Sequence, residues 1–258
     1  MFRGLYTAWT GMANEQKRLD VISNNMANSN TVGYKDEKVA SQAFDQVLGI
    51  KIRDGSQAYH NECIGSLSLG VKIGETYTDY SQGSVRQTGG TYDLALSGSG
   101  FFTVSVTDKA GEVHTRYTRD GRFHLTKDGL LVDADGNAVQ GQNGNITIAP
   151  SSKNVSISAT GQITADGELV DTLNIVDFED YDYLKKYGDT MYEPVDGATT
   201  KDAEGEILQG YTEQSNVNVV REMVDMITIT RAYEASQKVI HSYDSMLDKS
   251  VNQVGALK

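Results

Sequence analysis

The sequence predicts an α+β protein: long N- and C-terminal α-helices forming a coiled-coil-like helical domain, with a mainly antiparallel β middle domain. Three observations carry this. Apolar residues near both ends recur at alternating steps of three and four. Between the ends the period drops to two, as in Phe102, Val104 and Val106 with Thr103 and Ser105 between them. Asp-Gly pairs at 120–121, 128–129, 135–136 and 166–167 supply the positive backbone angles of tight hairpin turns.

The first helix is read over residues 2–26. Phe2, Leu5, Trp9, Met12, Gln16, Leu19, Ser23 and Met26 lie on one heptad-like seam. Gly4 and Gly11 each weaken a helix by about 1 kcal/mol relative to alanine, so packing must hold it. The polar run at 28–33 reads as its stop, with Gly33 free to turn left-handed. Residues 36–75 read as a linker with one possible hairpin. Residues 76–212 form the β-rich body, with strand patterns at 92–96, 102–106, 146–148, 155–157 and 173–178.

The helical domain, 1–35 with 213–258, closes with a longer seam. Val219, Glu222, Met226, Ile229, Tyr233, Ser236, Ile240, Tyr243, Leu247, Ser250 and Val254 repeat the three-four alternation, and Val220, Met223 and Ile227 widen it at the start. The plain expectation is an antiparallel pairing of the two helices inside one molecule. The alternative is that further helices, from other copies or sister subunits, complete their burial. The contacts expected to carry it are Leu5, Trp9, Met12, Leu19, Met26, Met226, Ile229, Tyr233, Ile240 and Leu247. A charge at Ile240 should then abolish assembly.

Composition excludes several classes. The net charge is -12, from 23 basic and 35 acidic residues. Phosphate binding needs a basic face, so nucleic acid is not an expected partner. The acidity lies in the middle of the chain and the two ends are near neutral. Cys63 is the only cysteine, which rules out an intrachain disulfide and a cysteine zinc cluster. No run approaches the ~18 apolar residues of a membrane span, and the N-terminus lacks the pattern of a cleaved signal peptide.

Catalytic and metal motifs are absent or weak. His60, His114, His124 and His241 show no metal-ligand spacing. The Asp133–Asn137 run looks faintly like a calcium loop, but Ala138 and Gly144 stand where an EF-hand needs Gly and Glu. Gly98-Ser99-Gly100 is neither a nucleophile elbow nor a phosphate loop. Asn145-Ile-Thr147 and Asn154-Val-Ser156 fit the glycosylation pattern that arises often by chance. No enzyme, cofactor or metal is expected; a soluble binding module and a hydrolase remain as contrasting classes.

Three segments carry a family resemblance. Ile22-Ser-Asn-Asn-Met-Ala-Asn-Ser-Asn-Thr-Val-Gly-Tyr-Lys35 resembles the N-terminal signature of bacterial flagellar rod, hook and hook-junction proteins, with Met26 and Val32 in place of Leu and Pro. Asp93–Phe102 and Tyr117–Phe123 are similar to the middle signature of the rod and hook branch. Gln209–Asn218, Glu222–Met226 and Arg231–Glu234 are similar to its C-terminal signature. The resemblance marks Asn24, Asn25, Asn28, Thr31, Gly33, Tyr34, Ser215, Asn216 and Arg231 as motif residues. It implies export through the flagellar type III apparatus and polymerisation into a hollow helical tube, with helices lining the inner layer and the β domain outside. Implied partners are further copies, sister rod and hook proteins, the export apparatus and the rings around the rod.

Overall fold

Two helices bracket twenty-one short strands among the described residues of the computed structural model, which are 2–51, 62–109, 111–152 and 154–255. His60 and positions 53–61 of the polar stretch lie outside them, as do the side chains of Phe2, Cys63 and Val254. The chain divides into two compact units. The terminal unit comprises Met1–Met26, Glu37–Thr78 and Val219–Lys258; the central unit comprises Ala27–Asp36 and Asp79–Asn218.

In the terminal unit, α1 spans Phe2–Ala27 and α2 spans Val219–Lys249. Residues 37–78 form a long ribbon of nested antiparallel pairs: β1 (Glu37–Ala43) with β4 (Val71–Thr78), and β2 (Val47–Lys51) with β3 (Glu62–Leu67). Two strands alone are marginal in water, so this ribbon needs a support. Along β1 the support is α1, through polar side chains. Asn25 Nδ2 donates to the Glu37 carbonyl (2.8 Å) while its Oδ1 accepts from the Glu37 amide (3.2 Å), which imitates a neighbouring strand. Asn14 and the Ser41 hydroxyl exchange hydrogen bonds at 3.0 and 3.2 Å, and Thr7 Oγ1 donates to the Leu69 carbonyl at 3.2 Å.

The protein is α+β, but its helices do not form the expected coiled-coil-like domain. No described seam side chain of α1 is buried; its buried residues are Thr10, Asn14 and Asn25. The stripe that turns inward toward α2 begins Gly4, Ala8, Gly11, one position away from the apolar seam. A Cβ on Gly11 would lie 3.8 Å from Ser236 Oγ, and one on Gly4 would collide with the Tyr243 ring. The pairing with α2 is therefore antiparallel and made through small residues, with Thr7, Ala8, Ala235 and Val239 lining the notch beside it. Interlocking knobs need bulky apolar groups facing each other, and glycine offers none. Trp9 consequently points away, half exposed and tilted against Tyr6 at 5.9 Å.

The central unit holds the hydrophobic core. Its main sheet runs through β7 (Phe101–Thr107) and β8 (Val113–Thr118), once β5 (Val85–Gln87) and β6 (Leu94–Ser97) have made their own two-stranded pairings. On one side of β7, Phe102 and Val104 join Leu94, Leu96, Leu131, Ile146, Ile148 and Ile163. On the other, Phe101 joins Phe178, Leu184 and Tyr192, with Tyr80, Tyr117 and Tyr181 packed around them. Alternation along one strand thus feeds two separate clusters, as a pleated strand with both faces covered must. The loop at Asp133 is a plain turn: its Oδ1 accepts from the amides of Asp135 (3.0 Å) and Asn137 (2.8 Å).

Tyr181 gives this unit a pH signature. Its hydroxyl donates to Asp177 Oδ1 at 2.8 Å. Burial, then the hydrogen bond and charge of Asp177, push its pKa up to about 12. The phenol is the favoured form in the fold, so its contribution is whole below the ordinary value near ~10 and disappears as pH rises to about 12. Between those values, denaturant titrations of Tyr181→Phe should show a shallower fall of stability with pH than the parent. The fall should not vanish, because burial also raises the Tyr117 pKa.

Candidate functional site

Three segments of the central unit meet in a buried polar junction: 31–36, 79–87 and 211–216. Strand Tyr211–Glu213 pairs antiparallel with β5. On its other side the Gly33 amide donates to the Glu213 carbonyl at 2.9 Å. Gly33 has φ of 71°, and a Cβ there would come within 2.6 Å of the Arg119 carbonyl carbon, so both conformation and space demand glycine.

Glu213 is the centre of the junction and fully buried. Its Oε1 accepts from Lys35 Nζ (2.6 Å) and the Gly83 amide (2.9 Å), and its Oε2 from Arg119 Nη1 (3.4 Å). Lys35 also donates to the Ser81 carbonyl at 2.8 Å. Burial lowers the Lys35 pKa below its ordinary value even though the Glu213 carboxylate pulls it up. Desolvation outweighs attraction there, so the pair is held by the fold and is costly to break.

Asn216 braces the same place. Its Oδ1 accepts from the Asp36 amide (2.8 Å), and its Nδ2 donates to the carbonyls of Asp79 (2.8 Å) and Ser81 (3.2 Å). The Asp79 amide returns a bond to the Asp36 carbonyl at 2.8 Å. The chemistry of the junction is that of a tie between segments.

The terminal unit presents the second feature. Among the described residues, 25 hydrophobic side chains are buried, and Ile229 alone belongs to this unit. Of 19 exposed large hydrophobic side chains, 14 belong to it. On α2 they include Val220, Val224 and Ile227 at 73%, 57% and 55% exposure. Charge divides the same way: 12 basic and 12 acidic residues in the terminal unit, 11 and 23 in the central one. Exposed apolar side chains in this number, on a unit of balanced charge, are what an interaction surface would use.

Comparison with known proteins places the chain in a family. Residues 5–35 match the family described as flagella basal body rod protein, 95–165 the flagellar hook protein FlgE/F/G D1 domain, and 208–254 the flagellar basal body rod FlgEFG protein C-terminal. A flagellar basal-body rod protein FlgG of Bacillus subtilis is 34% identical over 98% of this chain and 99% of its own. A protein of the same description from Caulobacter vibrioides is 36% identical over 95% and 97%. A flagellar basal-body rod protein FlgF of Caulobacter vibrioides is 31% identical over the full length of both. This chain belongs to the flagellar basal-body rod family. It is a structural rod protein of the bacterial flagellar basal body.

The three family matches each supply one charged member of the junction in the rod chain: Lys35, Arg119 and Glu213. None of the three was singled out by sequence. Each sits inside a motif, yet a lone charge beside turn residues reads as solvated. Of the motif residues, Gly33, Tyr34 and Asn216 are brought together there, with the Lys186 ammonium 4.2 Å above the Tyr34 ring. Asn28 accepts from the Thr31 hydroxyl at 3.0 Å, and Ser215 Oγ from the Val217 amide at 3.3 Å. Asn25 serves the ribbon instead, and Asn24 and Arg231 are exposed on the two helices.

The expected contact residues spread over the terminal unit. Leu5, Met12, Leu19 and Met26 are half-buried on α1, as are Met226, Tyr233, Ile240 and Leu247 on α2. Ile229 is buried and Trp9 exposed. Among the described residues no cluster of three or more His, Cys, Asp or Glu is placed to hold a metal, and no helix is long and apolar enough to cross a membrane.

Proposed function

We propose that this chain is the distal rod subunit, a non-catalytic building block that polymerises through its terminal unit into the tubular shaft carrying torque to the hook. One observation carries the reading: among the described residues, the terminal unit exposes fourteen large apolar side chains and buries one. Burying a half-exposed side chain gains roughly 1 kcal/mol, so the set offers on the order of 10 kcal/mol. Association costs about 4–15 kcal/mol, so the set is of the size needed to hold a subunit in an assembly. An open helical polymer meets that need through heterologous contacts that never close.

The subunit would reach the basal body through the flagellar export apparatus and meet sister rod and hook proteins and the surrounding rings there. The proximal rod subunit is the second reading, favoured by the full-length similarity to the FlgF protein. A hook protein is a weaker one, since the relatives matched over nearly their full lengths are described as rod proteins.

The test is sedimentation of the full chain against a variant lacking 1–26 and 219–258. Those cuts spare the junction, since 27–36 and 209–218 belong to the central unit. The full chain should form large particles and the shortened one should not. Assembly of the shortened chain would defeat the polymer reading.

A further inference from the structure

The chain enters or leaves the central unit at four places: 27, 36, 79 and 218. All four lie on or next to the junction. The Asp36 and Asp79 backbones bond to each other, and Asn216 holds both of them two residues before the last exit.

The direction of these segments matters. The Gly33 amide meets Glu213, and the Asp36 amide meets Asn216 at a sequence separation of 180; both pairs share that offset, so the two segments run parallel. A pull on residue 27 draws the first segment backward, while a pull on residue 218 draws the second forward. Parallel neighbours pulled this way slide past each other, and every bond between them is strained at the same moment. Hairpin strands pulled from their open end instead break one bond at a time.

We propose that the junction is a mechanical clamp, in which the Lys35–Glu213–Arg119 cluster and the Asn216 braces load the two segments in shear and stop the central unit from unravelling when its chain exits are pulled. The Lys35 ammonium and Glu213 carboxylate, 2.6 Å apart and shut from water, act as a bolt across the sliding surface. Asn216 adds the third segment, so strain reaching 31–36 passes to 79–84 as well. The clamp deepens the rod reading, since a torque-bearing subunit is pulled through its terminal segments.

Single-molecule pulling of the full chain tests it. One set of molecules is held by its two ends, and the other by cysteines introduced at Lys109 and Asp189 in a Cys63→Ser background. Both introduced positions are exposed and lie outside the three junction segments. The central unit should rupture at least twofold harder when pulled by the ends. Asn216→Ala should remove most of that difference and leave the 109/189 force unchanged. Asn216→Asp, which keeps the acceptor for Asp36 and loses both donors, should fall between.

Equal forces in the two geometries, or an equal proportional loss in both from Asn216→Ala, would overturn the clamp. Neither result touches the sedimentation test, which reads assembly without load. A failed polymer reading would likewise leave the force measurement intact.

Discussion

Glu213→Gln is expected to lower the stability of the central unit by about 3–5 kcal/mol, the usual cost of breaking a buried ion pair. The glutamine keeps the shape and some hydrogen bonding but loses the charge that faces two cations. Lys35 and Arg119 side chains are 1% and 4% exposed, so water cannot replace the carboxylate. For a unit of this size the loss corresponds to a melting temperature lower by roughly 10 °C. Denaturant unfolding followed by near-ultraviolet dichroism reads it, because Tyr80, Tyr117, Tyr181 and Tyr192 pack in this unit.

A second substitution separates charge from shape. Lys35→Met alone strands Glu213 with the more distant Arg119, whereas Lys35→Met added to Glu213→Gln removes a cation that already lacks its partner. The double variant should be more stable than the sum of the two losses by over ~1 kcal/mol. Strict additivity would mean that Lys35 and Glu213 do not act as a pair.

Ile227→Asp should abolish assembly and leave the central unit untouched. Ile227 is 55% exposed in the single chain, next to Val220, Val224 and Met223 on the same α2 surface. An aspartate there is solvated while the chain is alone, so its effect on intrinsic stability should stay within about 0.5 kcal/mol. Inside a subunit contact the same carboxylate loses its water without gaining a partner, which costs several kcal/mol at each copy. Ile240 is the less clean position, since it is half-buried and a charge there also disturbs the chain's own packing.

Trp9 makes the measurement direct. It is the only tryptophan, it lies in the terminal unit, and it is half exposed. Assembly of the parent chain should shift its emission to the blue as it leaves water, and Ile227→Asp should keep it at the exposed wavelength. Normal polymers from that variant, with the shift intact, would remove α2 from the assembly surface.

Much of the architecture could be read from periodicity. Steps of three and four placed helices at both ends, and alternation with Asp-Gly turns placed the β body, because local backbone geometry decides which side chains share a face. The same steps did not show which face of α1 meets α2 within the chain. Apolar spacing says where hydrophobic groups line up and is silent on what they meet. The contact with α2 went to Gly4, Ala8 and Gly11, where Gly4 leaves room for the Tyr243 ring and Gly11 faces Ser236. The contact with the ribbon went to Asn14 and Asn25, because open strands need hydrogen-bond partners more than they need grease.

The charges of the junction were hidden for a related reason. Lys35, Arg119 and Glu213 are separated by up to 178 positions and look like ordinary surface residues along the chain. Sequence by itself determined the two terminal helices, the β character of the middle, the neutral ends and the acidic middle. Only the tertiary structure decided which helix face turns inward and that three signature segments are joined at one buried carboxylate. Burial and pairing depend on distances in space, and those are settled when remote segments meet.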